Sequence, residues 1–459
     1  MKDQDWQSER NAQLKKRALE GLYSEKTHFI HGRCSAAHWD YRHHVVPPAS
    51  VSVAYKLENS QRAARGFQQY DHEHLGNGEH IYLYDRLDEP SRAMLEENLA
   101  YAEAAECAVT FASGMGAISA ALCNCAQAGE HILSHKVLYG CTYSLLKNWL
   151  PRFGIETSSA DFTRLDSAKK HLRPNTRVVY LESPVNPDLS LIDIGAVAEW
   201  VREDNRERRP EQRLWLIVDN TFATPYGQRP LTLGADLVVA SLTKNIGGFG
   251  TDLGGMVAGP ACFESTWMSY RKDFGGVLSP RNAWHFLVYG LPTLPIRFRQ
   301  QQESAMKLAR FLERHPCIDK VAYPGLDSFP QKELAHRQMQ DYDGRFAPGT
   351  MIYFRLRESV PKTGENARKF VDYLGSNAYA ITLAVSLGQI RTLVEHPYSM
   401  THGSFVSGDG VPSPVDPCGI RLSVGLEKAD DLIHELSEAL EAVFAPAPKA
   451  SRPDSITGN

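Results

Sequence analysis

Between Ala235 and Thr251 the chain reads ADLVVASLTKNIGGFGT, with the amine of Lys244 flanked by the hydroxyls of Ser241 and Thr243 and followed by Gly247, Gly248 and Gly250. The apolar, β-branched residues Leu237, Val238, Val239 and Ala240 predict a buried strand that delivers Lys244 at its carboxyl end. A lysine kept dry is a nucleophile toward a carbonyl, the hydroxyls suit a phosphate, and the glycines let the lysine move. These residue types point to a Schiff base between Lys244 and pyridoxal phosphate. A lone strand-end lysine would more simply face solvent; the neighbours argue for the chemistry.

Several other segments must present polar tips to the same place. CAVTFASGMGAISAALCNCA predicts a strand, a Ser-Gly-Met-Gly turn at Ser113 to Gly116, and a helix whose free N–H groups and dipole favour an anion. HILSHKVLYGCTYSLL predicts a strand leading to Tyr139 and Cys141, RVVYLESPVNP a strand ending near Asn186, and LWLIVDNTFATP a strand that presents Asp219. Strand, polar tip and helix in repetition predict an α/β fold with a mostly parallel, doubly wound sheet. Ligands of such sheets gather beyond the carboxyl ends of the strands, so Ser113, Tyr139, Asn186, Asp219 and Lys244 are expected in one crevice. The strand that carries Lys244 is expected to be the last of the series.

Around this unit the chain divides into an arm at 1–88, the sheet domain at 89–295, a smaller C-terminal α/β domain at 296–445 and a disordered Pro/Ser-rich tail at 446–459. VVPPASVSVAYKL is β-prone but stopped at its front by Pro47 and Pro48, and the polar segment from Glu58 to His80 is expected to be a loop. A helix is expected from Ser91 onward and another over about 297 to 314; GTMIYFRL, YAITLAVSLG and GIRLSVGLE are expected strands of the smaller domain.

The 459 residues carry a net charge of -4, with 42% hydrophobic and 23% charged residues, so nothing argues for nucleic acid or an anionic membrane as partner. There is no apolar run of membrane-spanning length, and the first residues lack the apolar core of a signal peptide, so a cytoplasmic protein is expected. The eight cysteines follow no framework spacing, which fits reduced thiols. His28, His31, Cys34, His38, His43 and His44 cluster without a zinc spacing, and no metal is expected.

The motifs YDR, SGMGAI, LYGCT, ESPVNP, VDNTFATP, ASLTKNIGG, SLG and RLSVGLE follow one another in an order that resembles the Cys/Met-metabolism group of pyridoxal-phosphate enzymes. That group includes cystathionine γ-synthases and lyases, O-acylhomoserine sulfhydrylases and methionine γ-lyases. The resemblance implies a fold-type I architecture, with an arm that reaches a neighbouring subunit. It implies that Asp219 holds the proton on the cofactor ring nitrogen and that Tyr139 stacks on the ring and acts as an acid. Ser241, Thr243 and the N–H groups of Gly114 and Met115 would hold the phosphate, joined by Tyr84 and Arg86 across a subunit boundary. A dimer with shared sites, and a tetramer of two dimers, would follow. Arg421 would clamp the substrate carboxylate beside Ser386 and Leu387. Cys141, Lys272 and Asp273 match positions near the substrate's distal end in methionine γ-lyases, and imply γ-elimination to a thiol, 2-oxobutanoate and ammonia. The chain departs from the family at Gln389-Ile390-Arg391, where relatives carry an acidic residue in place of Arg391, and at Asp88-Glu89-Pro90, where Asn-Pro is usual. Other readings remain open: γ-replacement on an activated homoserine, a cystathionine lyase, and a silent cofactor-binding protein, against which Lys244 argues.

Overall fold

The computed structural model describes residues 23–32, 45–71, 81–359, 361–401 and 415–444. The tail at 446–459, most of the arm, and Cys34, His38, His43 and His44 lie outside the described residues. The larger sheet has seven strands: β1 Cys107–Phe111, β2 His131–His135, β3 Glu156–Ala160, β4 Thr176–Glu182, β5 Trp215–Asp219, β6 Leu237–Ser241 and β7 Gly255–Gly259. Their order is β1-β7-β6-β5-β4-β2-β3. Only β7 runs against its neighbours; β2 through β6 pair in parallel.

Alternation along each strand feeds two covered faces. Val178, Tyr180, Ile217, Val239 and Val257 share a core with the helix Gly114–Cys125. Leu181, Leu216 and Val218 pack with Val197 and Val201 of the helix Ile194–Asn205. Val238, Ala240 and Met256 pack with Leu95 and Leu99 of the helix Pro90–Glu103 and with Phe298. The expected series thus stops one strand short, because β7 follows the Lys244 strand. GMVAG begins and ends in glycine and offers little strand propensity; the fold uses that smallness, since a Cβ on Gly255 would lie 2.2 Å from the Ser113 carbonyl oxygen.

The smaller sheet contains β8 Ile318–Ala322, β9 Met351–Leu356, β10 Thr382–Leu383, β11 Leu393–Glu395 and β12 Gly419–Ser423, in the order β10-β11-β12-β9-β8. One face, with Ile352, Phe354, Ile420 and Leu422, packs under the helices Leu291–Arg314, Glu365–Asn377 and Ala429–Phe444. Residues between them, Tyr353, Arg421 and Glu395, therefore point toward the larger sheet. The helix expected from about 297 begins at Leu291 and contains Pro295, so the border expected at 295/296 falls inside it. Part of the expected loop between Glu58 and His80 is the helix Ser60–Asp71. The segment from Val45 to Leu57 forms no ladder, only an isolated bridge from Ala54 to Tyr84. The expected strand 379–388 shrinks to two residues, because Ser386 and Gly388 adopt φ of 97° and 74° and turn the chain.

Among the described residues, no helix is long and apolar enough to cross a membrane, no group of three metal-ligating side chains occurs, and the described cysteines are free thiols. His28 is packed against the rings of Tyr23 and Tyr101.

At Gly388 a Cβ would lie 2.4 Å from the Asn245 nitrogen and 2.9 Å from the Lys244 carbonyl carbon, whereas nothing lies within 4 Å of one at Gly344, which has the same sign of φ. Gly344→Ala is expected to cost about 1 kcal/mol through backbone strain alone, and Gly388→Ala roughly 1–3 kcal/mol more through overpacking. Midpoints of chemical unfolding measure the difference; equal shifts would show that the Lys244 turn yields freely.

Candidate active site

Lys244 stands just past the end of β6, in the turn closed by the N–H of Gly248 donating to its carbonyl at 2.8 Å. Its Nζ donates to the Ser386 hydroxyl at 2.9 Å. Burial, and then the charge of Arg421, lower its pKa to about 8, so about a tenth is free amine at pH 7, far more than for an ordinary lysine. Thr243 is engaged locally: its hydroxyl donates to the Gly254 carbonyl at 3.2 Å and accepts from the Gly254 N–H at 3.0 Å.

The helix Gly114–Cys125 begins beside Ser241. Ser113 caps it by accepting from the Gly116 N–H at 3.1 Å, a use the sequence reading did not foresee for that hydroxyl. No described group bonds the N–H groups of Gly114 and Met115. A Cβ on Gly114 would lie 2.9 Å from Cβ of Ser241, so a side chain there would fill the cradle. Bare N–H groups at a helix N-terminus, a neighbouring hydroxyl and an enforced gap suit a phosphate.

On the next strands, Asp219 accepts from the Thr221 N–H at 2.9 Å and from the Tyr180 hydroxyl at 3.4 Å. Glu182, paired in register with Asp219, accepts from the Tyr139 N–H at 2.8 Å. The Cys141 sulfur and the Tyr139 hydroxyl are in hydrogen-bond contact at 3.4 Å. Burial first, then Cys141, hold the Tyr139 phenol above its ordinary pKa, so it keeps its proton at neutral pH.

Arg421 connects the two sheets. One guanidinium nitrogen donates to the Asn186 side-chain oxygen at 2.8 Å. The other donates to the Ser386 carbonyl at 3.1 Å and lies 2.7 Å from the Glu395 carboxylate. Asn186, expected beside the cofactor, thus meets Arg421. Leu387 is buried against the cluster of Leu189, Leu191 and Phe222. Lys244, Ser386, Arg421, Asn186 and Glu395 form one connected group, into which Tyr139 is drawn by the charge of Arg421.

Tyr84, Arg86, Lys272 and Asp273 form a second group. Arg86 donates to the Lys272 carbonyl at 2.9 Å and lies 5.5 Å from the centre of the Tyr84 ring; Lys272 and Asp273 pair at 3.7 Å. Among the described residues, no hydrogen bond or ion pair joins these four to Lys244, Tyr139 or Arg421. Buried Arg92 and Arg271 pin the loop from below: Arg92 donates to the Asp85 carboxylate at 3.1 Å and Arg271 to the Leu87 carbonyl at 3.0 Å. Asp88 lies 3.7 and 3.6 Å from these two guanidinium groups.

Sequence reasoning gave no role to Glu182, Tyr180 or Glu395. Glu182 was visible at the head of ESPVNP. Glu395 had no local signal, since only the β11–β12 register sets it opposite Arg421.

The model of the family described as Cys/Met metabolism PLP-dependent enzyme matches residues 26–441. An L-methionine gamma-lyase of Fusobacterium nucleatum subsp. polymorphum is 40% identical over 364 residues, 79% of this chain and 87% of its own. An O-succinylhomoserine sulfhydrylase of Pseudomonas aeruginosa is 36% identical over 362 residues, 79% of this chain and 84% of its own. The crystal structure of metB from Corynebacterium glutamicum superposes with a TM-score of 0.79 at 31% identity, covering 92% of this chain and 99% of that one. A match across this length, on an α/β frame whose lysine, helix-end cradle and strand-end carboxylate suit the cofactor, places the chain in the Cys/Met metabolism family of fold-type I enzymes that use pyridoxal 5'-phosphate.

Proposed function

We propose that this enzyme eliminates the γ-substituent of methionine or a related γ-substituted amino acid. For methionine, water and the amino acid yield methanethiol, 2-oxobutanoate and ammonia. The observation that carries the reading is the contact between the Cys141 thiol and the Tyr139 hydroxyl, 3.4 Å apart beside Lys244 and Arg421. The 40% identity to a protein named as an L-methionine gamma-lyase supports it.

When bound, the cofactor supplies an electron sink for charge developing at Cα and Cβ of the substrate. Gly114, Met115 and Ser241 hold its phosphate, and Asp219 keeps its ring nitrogen protonated. Arg421 binds the substrate carboxylate, with its fork held by Asn186 and Glu395. Lys244, as free amine, takes the Cα proton and returns protons to the reacting carbons. Tyr139 keeps its proton until the departing sulfur needs it, and Cys141 orients the phenol oxygen. Tyr84 and Arg86, exposed and away from this chain's own Lys244 group, complete the phosphate site of a second copy. Lys272 and Asp273 share that surface through the Arg86 bond, so they would approach the neighbour's substrate. A dimer at least, and by family likeness a tetramer, follows from this division.

Replacement of the γ-group by a thiol is the second reading, favoured by the 36% identity to a protein named as an O-succinylhomoserine sulfhydrylase.

Incubation with methionine and no added thiol is expected to give 2-oxobutanoate, identified by mass; no keto acid, with a new thioether amino acid formed once a thiol is added, would mean replacement, and pyruvate as the main product from a panel that includes cysteine and cystathionine would mean β-elimination. Arg421→Ala should raise KM on the order of tenfold or more while the cofactor stays bound; loss of bound cofactor would put that arginine elsewhere. In reconstitution trapped by borohydride, the pyridoxyl tag should map to Lys244. The rate should climb through about pH 8, since the depressed pKa leaves ammonium below that value and free amine above it. A tag on another lysine would end the assignment.

A further inference from the structure

Glu182 and Asp219 stand opposite each other on the parallel strands β4 and β5, so their side chains leave the same face about 5 Å apart. Two carboxyl groups so placed in a buried site do not both ionise; one proton belongs to the pair. The donors decide where the charge rests. Burial raises the proton affinity of Asp219, but three donors oppose the rise: the Thr221 side chain, the Thr221 N–H at 2.9 Å and the Tyr180 hydroxyl at 3.4 Å. Glu182 receives a single N–H, that of Tyr139, at 2.8 Å. Burial, and then the charge of Asp219, hold the Glu182 carboxyl well above the usual carboxylate range.

We propose that Glu182 is a positioning residue, kept as a neutral acid, whose Oε1 fixes the backbone of Tyr139 while the negative charge of the carboxyl pair rests on Asp219. The inference rests on reading Asp219 as partner of the cofactor ring nitrogen and Tyr139 as proton donor. Tyr139 immediately precedes the short helix Gly140–Ser144, so holding its N–H sets where the phenol and the Cys141 thiol stand. An ionised Glu182 would raise the proton affinity of Asp219 and take from the ring nitrogen the charge that keeps it protonated. The groups facing Glu182 are Tyr180 on its own strand, Asp219 on β5 and Tyr139 on the turn; Arg421, across the seam, acts on Tyr139.

Infrared spectra of the holoenzyme at neutral pH test this, taken beside Glu182→Gln and Glu182→Ala. The expected result is a component of the protonated-carboxyl stretching band, seen beside that of other buried acids such as Glu103, that disappears in Glu182→Gln. The visible absorbance of the cofactor should persist in both variants. The kcat of Glu182→Ala should lie roughly tenfold below that of Glu182→Gln, because glutamine still offers an acceptor to the Tyr139 N–H. Absence of the band, its survival in Glu182→Gln, or equal loss of kcat in the two variants would overturn the proposal. A colourless wild-type protein, or a borohydride tag away from Lys244, would instead overturn the cofactor reading, which the infrared band does not measure.

Discussion

Arg421 carries a charge at a position only 3% exposed, and its carboxylate partner Glu395 is 1% exposed. Such a charge persists away from water only when its donors are matched. Here the match is spread over both sheets: Asn186 from the turn after β4, and Ser386 and Glu395 from the smaller sheet. The ion pair therefore fixes how the two halves meet. Lys244 inherits its electrostatic setting from the same residue, since burial together with Arg421 lowers its proton affinity. Removing the arginine would leave Glu395 as an uncompensated buried charge, so the carboxylate that steadies the guanidinium also makes it indispensable.

Local geometry was legible in the sequence wherever one segment carried its own signal. Lys244 was marked by its hydroxyls, glycines and preceding apolar run, and Ser113 to Gly116 by a turn before a helix. Tyr139, Arg421 and Ser386 were marked by motif likeness, and the structure brings them beside Lys244. What escaped was set by partners far away in the chain. Glu395 gains its place from strand register, and β7 from a close approach that only glycine permits. The helix Ser60–Asp71 offers two large aromatic residues, Phe67 and Tyr70, in twelve positions, too few for a periodic signal.

The second group shows a different limit. Tyr84 and Arg86 sit on a loop anchored by two buried arginines and by the carboxylate of Asp88. A salt-bridged base under an exposed tip is a way to hold a reaching side chain rigid without covering it.

The alternation of β12 has a consequence for how this protein can vary. Ile420 and Leu422 face the helices while Arg421 between them faces the crevice. Inserting or deleting one residue within Gly419–Ser423 would exchange the two faces, driving a guanidinium into a greasy interior and an aliphatic chain toward the substrate. Evolutionary drift in chain length is thereby pushed outward into the connecting loops, while the strand itself is held to a fixed count and parity.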